Sequence, residues 1–126
     1  MNDGETIRRY ADAWLAGDTA TMGSIMADDV SLHLFGYSPL AGTHRGKATV
    51  FEVIGKVQLL TNRKTIEIHD VLVGRDHAAI LVRERFENSQ GTLDLDRVFL
   101  YHLRDDRITD IYVYDEDQTA VDTFWS

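Results

Sequence analysis

The stretch KTIEIHDVLVGRDHAAILVRERFENSQGTLDLDRVFLYHLRDDRITDIYVYD, residues 64–115, decides the fold. Lys64–Val73 alternates apolar and polar residues, Gly74-Arg75-Asp76-His77 turns, and Ala78–Glu87 alternates again. Asn88-Ser89-Gln90-Gly91 and Arg104-Asp105-Asp106-Arg107 are two further turns, which set off strands over Thr92–Leu103 and Ile108–Asp115. Parallel neighbours would need crossover connections of roughly a dozen residues, so these short turns predict an antiparallel meander.

Upstream the period changes from two to that of a helix. Ile7, Tyr10, Ala11, Trp14 and Leu15 form an i, i+3, i+4, i+7, i+8 stripe over residues 5–16. Asn2 and Glu5 supply a capping pair at its start, and Gly17 a left-handed stop. Asp18 caps a second short helix with Met22, Ile25 and Met26 inward. Val30–Phe35 reads as a short strand, and Gly36–Gly46, with the only proline, as an ordered loop. A third helix turns Val50, Phe51, Val53, Ile54, Val57 and Leu60 inward. Val121, Phe124 and Trp125 predict a short C-terminal helix over one end. Helices first and a meander after give an α+β class: a strongly bent, mostly antiparallel sheet, cone-shaped, wrapped around the N-terminal helices. Such a cone has one open mouth and suits a small apolar ligand with a few polar groups.

The 126 residues fit one domain, 1–126, with a single core. Thirteen Lys and Arg stand against 21 Asp and Glu, a net charge of −8. That balance repels a phosphate backbone and an anionic membrane, so neither nucleic acid nor membrane is an expected partner. Without cysteine there is no disulfide, thiolate nucleophile or thiolate metal site. No spacing of His and acids suggests a metal, and no GxGxxG or Walker pattern suggests a nucleotide, so no cofactor is expected. The opening MNDGETIRRYADAW lacks the features of a signal peptide, which points to the cytoplasm.

The residues Trp14 with Gly17-Asp18, Met26-Ala27-Asp28-Asp29-Val30, Leu40-Ala41-Gly42-Thr43-His44-Arg45-Gly46 and Arg107–Asp115, in this order of elements, resemble the nuclear transport factor 2-like superfamily. The likeness is greatest to its SnoaL-like branch, beside ketosteroid isomerase, scytalone dehydratase and limonene epoxide hydrolase. It implies a cone-shaped cystatin-like fold, and a homodimer formed through the outer face of the sheet. Against ketosteroid isomerase, Tyr10 falls on the catalytic tyrosine, but the base falls at His33-Leu34 and the oxyanion acid on Val98. Steroid isomerisation is therefore not implied. Against the epoxide hydrolase, Arg85-Phe86-Glu87 matches an Arg-x-acid spacing, with Asp115 near the third position.

Several ionisable residues could carry chemistry. Asp115 shares a strand face with Ile111 and Val113, which the resemblance turns inward; it is a general acid or base there, or a cap on the terminal helix. His33, between Leu32 and Leu34, is a proton shuttle or a structural histidine. Asp96 lies on one strand face with Asp94, Val98, Leu100 and His102, as a supporting acid or a solvated rim residue. Tyr10 would donate to a developing oxyanion. Trp14, Tyr37, Arg85, Val98, Leu100, His102 and Val113 would contact the ligand, although Arg83, Arg85 and Glu87 equally suit an outer-face ion network. The expected function is a cofactor-independent acid–base enzyme on a small, mostly apolar carbonyl or polyketide-like compound. It would be of isomerase, cyclase, dehydratase or epoxide-hydrolase type. The alternative is a non-catalytic small-molecule-binding module of the same fold.

Overall fold

Each N-terminal helix starts where a side chain satisfies backbone N–H groups. In the structure, a computed structural model that describes residues 2–126, α1 spans Asp3–Ala16. The Asn2 side chain accepts from the Glu5 backbone N–H at 2.8 Å and donates to the Glu5 carboxylate at 2.9 Å. Gly17, at φ 70°, ends the helix in the left-handed conformation that glycine adopts at little cost. Asp18 then caps α2 (Thr19–Ile25) through the Thr21 backbone N–H.

β1 (Met26–Leu34) begins at Met26 rather than Val30, and the ladder slips between Met26 and Ser31. Ala27-Asp28-Asp29 lie in that slip, which hides the strand's beginning from an alternation count. The expected loop contains a short edge strand, β2 (Gly42–Arg45), paired antiparallel with β1. In α3 (Lys47–Thr61) the buried stripe runs Val50, Val53, Val57, Thr61. Leu60, expected inward, is 50% exposed because it sits one residue off that stripe.

The meander forms as predicted: β3 (Lys64–Val73), β4 (His77–Asn88), β5 (Gly91–Arg104) and β6 (Arg107–Asp115), each antiparallel to the next. β1 joins β6 in parallel, giving one six-stranded curved sheet in the order β2-β1-β6-β5-β4-β3. Bulges in the β3–β4 and β5–β6 ladders help bend it. Its inner face carries Leu32 and Leu34 of β1, Ile80, Val82 and Phe86 of β4, Leu95 and Tyr101 of β5, and Ile111 and Val113 of β6. α1 and α3 pack on this face.

Asp117 caps α4 (Gln118–Trp125), accepting from the Ala120 N–H at 3.0 Å. Gln118 donates to the Phe35 carbonyl and Asn88 to the Phe124 carbonyl, which clamps α4 across the end of the sheet. Gly36, at φ 93°, permits this approach, since a β-carbon there would meet the Asp122 carboxylate and the Gln118 amide. No helix among the described residues is long and apolar enough to cross a membrane.

Candidate functional site

Between the inner sheet face and the helices lies a cavity lined by apolar groups of α1, α2, α3, β1, β5 and β6, and closed at one side by Trp125 of α4. The volume open to the centre of a water molecule is about 70 Å³. One water needs roughly 10–15 Å³ on that measure, so a small ring compound would fit. Its polar groups are few: Tyr10, Trp14, Arg63, Arg97, Tyr101 and Trp125.

Arg97 is the chemical centre of the wall. It is 4% exposed, continuing the inward stripe of Leu95, Arg97 and Tyr101 on β5. Its Nε donates to Asp115 Oδ1 at 2.6 Å and its Nη1 to Glu84 Oε1 at 3.0 Å. Phe86, Phe99 and Trp125 surround the guanidinium, with ring centroids 5.1, 5.2 and 5.7 Å from its carbon, which adds cation–π attraction. Glu84 is fully buried and also accepts from Arg63 at 2.7 Å and from the Thr65 hydroxyl at 2.9 Å. Thr65 in turn accepts from the Trp14 indole at 2.9 Å. Arg63, Glu84, Arg97 and Asp115 alternate in sign, so the buried charges sum to zero.

Burial pushes the Asp115 carboxyl above its ordinary value of 3.8, with Arg97 acting against that shift. Its side chain is 4% exposed, and Arg97 is the only donor it meets among the described residues. Asp117, not Asp115, caps α4. Burial also raises Tyr10 and Tyr101 well above the ordinary phenol value, which keeps both hydroxyls protonated. The Tyr101 hydroxyl meets the Tyr10 phenol, the two rings lying edge to face at 5.4 Å, and the Trp125 indole N–H is buried with no hydrogen-bond partner among the described residues.

The structure brings together Tyr10, Trp14 and Val113 on the cavity wall, with Asp115 behind Arg97. It does not bring His33 to them. Leu32 and Leu34 point into the cavity, so alternation puts His33 on the outer face. There His33 bonds Asp110 Oδ1 and Thr43 Oγ1, both at 3.0 Å, and stacks on Tyr112. The expected pairing of His33 with Asp115 over one substrate therefore does not form. Asp96, Val98, Leu100 and His102 also lie outward, because Arg97, Phe99 and Tyr101 take the inner positions of β5. Asp96 is held below its ordinary range by hydrogen bonds from His69 and Arg83, and Asp94 by two from Arg85. Arg85 is thus part of an outer ion network and does not contact the cavity. Tyr37 is 97% exposed.

Glu84, Arg97, Tyr101 and Trp125 were not singled out as site residues from sequence. The signal was present: Glu84 interrupts the apolar stripe Ala78, Ile80, Val82, Phe86, and Arg97 interrupts Leu95, Phe99, Tyr101, Leu103. A lone charge inside an apolar period-two stripe is costly to bury unpaired, so two such charges on neighbouring strands imply a buried pair.

The family model of the SnoaL-like domain matches residues 7–111 of this chain. The chain belongs to the SnoaL-like family. A protein of unknown function with a cystatin-like fold from Xanthomonas campestris is 32% identical, with a TM-score of 0.91 over 100% of this chain and 99% of that one. Bal32a, from a soil-derived mobile gene cassette, is 27% identical with a TM-score of 0.88, covering 98% and 96% of the two chains. An uncharacterised protein of Mycobacterium tuberculosis is 29% identical over 98% of this chain and 96% of its own length. Other SnoaL-like and nuclear transport factor 2-like structures, at lower identity, share the fold.

Proposed function

We propose that this SnoaL-like protein is a cofactor-independent acid–base enzyme acting on a small, mostly apolar carbonyl compound bound in the inner cavity. The observation that carries the reading is an arginine clasped by two carboxylates in the wall of an apolar cavity, Arg97 between Asp115 and Glu84. The epoxide-hydrolase likeness anticipated such a set at Arg85 and Glu87; here different residues supply it.

In this reading Asp115 takes a proton from the carbon next to the carbonyl, through one water at the Arg97 end, and returns it at another position. A carboxylate raised by burial is a stronger base than an exposed one. Arg97 meets the negative charge that develops on the substrate. Tyr10 donates to the oxyanion. Glu84 positions Arg97 and does not touch the substrate. The outer face, with Phe35 stacked on Tyr114 and His33 on Tyr112, is the homodimer surface of the same proposal.

The test is exchange of the acidic α-hydrogens of β-tetralone for deuterium in deuterium oxide, followed by proton NMR. Wild type is expected to accelerate exchange, and Asp115→Asn to lose that acceleration by ~10²–10⁴-fold. The second reading, a binding module without turnover, is favoured by one observation: Arg97 engages both buried carboxylates. It predicts β-tetralone binding with exchange no faster than in buffer.

A further inference from the structure

We propose that Thr43, His33 and Asp110 form a second catalytic site on the outer face of the sheet, where the Thr43 hydroxyl takes an acyl group from a small activated ester and passes it to water. The inner cavity has no part in it, and failure of deuterium exchange there leaves it untouched.

Three strands build the constellation. Thr43 on β2 lies directly opposite His33 on β1, and β6, which carries Asp110, is the neighbour of β1 on its other side. His33 Nδ1 lies 3.0 Å from Thr43 Oγ1, and its Nε2 lies 3.0 Å from Asp110 Oδ1. A carboxylate only accepts, so in the neutral imidazole Nε2 carries the hydrogen and Nδ1 presents a lone pair. The Thr43 hydroxyl donates to that lone pair. This is the order of a hydrolase triad, nucleophile to base to carboxylate, with the two ring nitrogens exchanged. The base is held on every side. Asp110 Oδ2 accepts from the Thr109 hydroxyl at 3.2 Å, and His102 Nδ1 stands 3.9 Å from the same oxygen. Tyr112 stacks on the imidazole with centroids 4.2 Å apart and 9° between the planes, which fixes the ring's orientation.

Thr43 is exposed on the edge strand, so a substrate reaches it from the margin of the sheet. Arg45, two residues on and on the same face of β2, donates from Nε to Ser31 at 3.3 Å and pairs with no carboxylate among the described residues. It is the cation for the charge that develops on the substrate's carbonyl oxygen. Arg45 and Asp110 also line an open polar groove with His77, His102 and Arg104. The acyl donor is therefore a small polar ester, unlike the ligand of the apolar cavity.

In the first step Thr43 Oγ1 bonds to the carbonyl carbon while His33 Nδ1 takes the hydroxyl proton. The bond from that carbon to the alcohol oxygen then breaks, and the alcohol leaves with the proton. In the second step His33 deprotonates a water molecule, whose oxygen bonds to the acyl carbon. The bond to Thr43 breaks, the carboxylic acid departs, and His33 returns the proton to Thr43.

The experiment mixes the protein with p-nitrophenyl acetate, follows release of p-nitrophenolate, quenches in acid and locates the acetyl group by peptide mass spectrometry. A burst is expected, with the acetyl group on Thr43. Thr43→Val keeps the branched shape on an exposed strand and should fold, yet lose the burst, and Thr43→Ser should retain it. His33→Asn is expected to slow acylation by ~10²–10⁴-fold. Asp110 is a positioning residue, and Asp110→Asn tests it: the carboxamide can donate to Nε2, which moves the His33 hydrogen to Nδ1 and removes the lone pair Thr43 needs. Nitrogen-15 spectra of the imidazole should show that exchange together with slower acylation. No burst from the wild type, acetyl on another side chain, or a burst that persists in Thr43→Val would overturn the site. An unmoved His33 hydrogen in Asp110→Asn would overturn the part assigned to Asp110.

Discussion

Tyr101 and Asp115 make separate predictions about stability and activity. Tyr101→Phe deletes a buried hydroxyl that meets the Tyr10 phenol, so a loss of about 0.5–1.5 kcal/mol is expected in urea unfolding. An unchanged stability would show that the two phenols do not interact in the native state. Asp115 carries a pH signature. Its folded value lies above 3.8, so it contributes stability fully below 3.8, and that contribution is lost as pH rises through the folded value. Asp115→Asn should therefore remove a falling limb from the stability profile above 3.8. The same titration gives catalysis the opposite slope, because the base works only when ionised: exchange should climb with pH through that window.

At the scale of elements, the caps and strands were legible because each has a local cause. Asn2, Gly17 and Asp18 act within their own turns, and the four meander strands announce themselves by period and by turn residues. The inner face of β6 was legible through the resemblance, and what stayed hidden was which face of β1 and β5 is inner. On β5 both faces contain apolar and polar residues, so Val98, Leu100 and His102 competed on equal terms with Arg97, Phe99 and Tyr101. On β1, His33 sits between two leucines, and the same alternation that buries the leucines expels it. Partners from distant strands decided the matter, and no local pattern reports those. α4 shows how an element serves the site, since it carries Trp125 into the wall while resting on Gly36. Gly36→Ala forces an L side chain to φ 93° and crowds Gln118 away from Phe35. The expected cost is about 1–3 kcal/mol with weaker β-tetralone binding, measured by urea unfolding and titration. An unchanged affinity would show that α4 does not shape the cavity.

Across the whole molecule, the buried charges act as a tie between layers. Glu84 on β4 holds Arg97 on β5 and Arg63 between α3 and β3, so one carboxylate joins three parts of the fold. Glu84→Ala leaves two guanidinium groups without that partner in a largely dry interior, and the expected loss is about 3–5 kcal/mol. Because the group is fully buried, the loss should persist in high salt, whereas the exposed Arg85–Asp94 pair should be salt-sensitive. Urea unfolding at low and high ionic strength separates the two. A Glu84→Ala effect that vanishes with salt would place the carboxylate in contact with solvent.

The fold thus sets His33 with Asp110 outside and Arg97 with Asp115 and Glu84 inside, and of these the inner set adjoins the apolar chamber. A crystal structure of the protein soaked with β-tetralone chooses between them most directly. The inner site predicts the ketone between Trp14 and Val113, its oxygen within hydrogen-bond reach of Tyr10 and its α-carbon at the Arg97 end. A vacant interior, with the ketone seated beside His33 and Asp110, would contradict it.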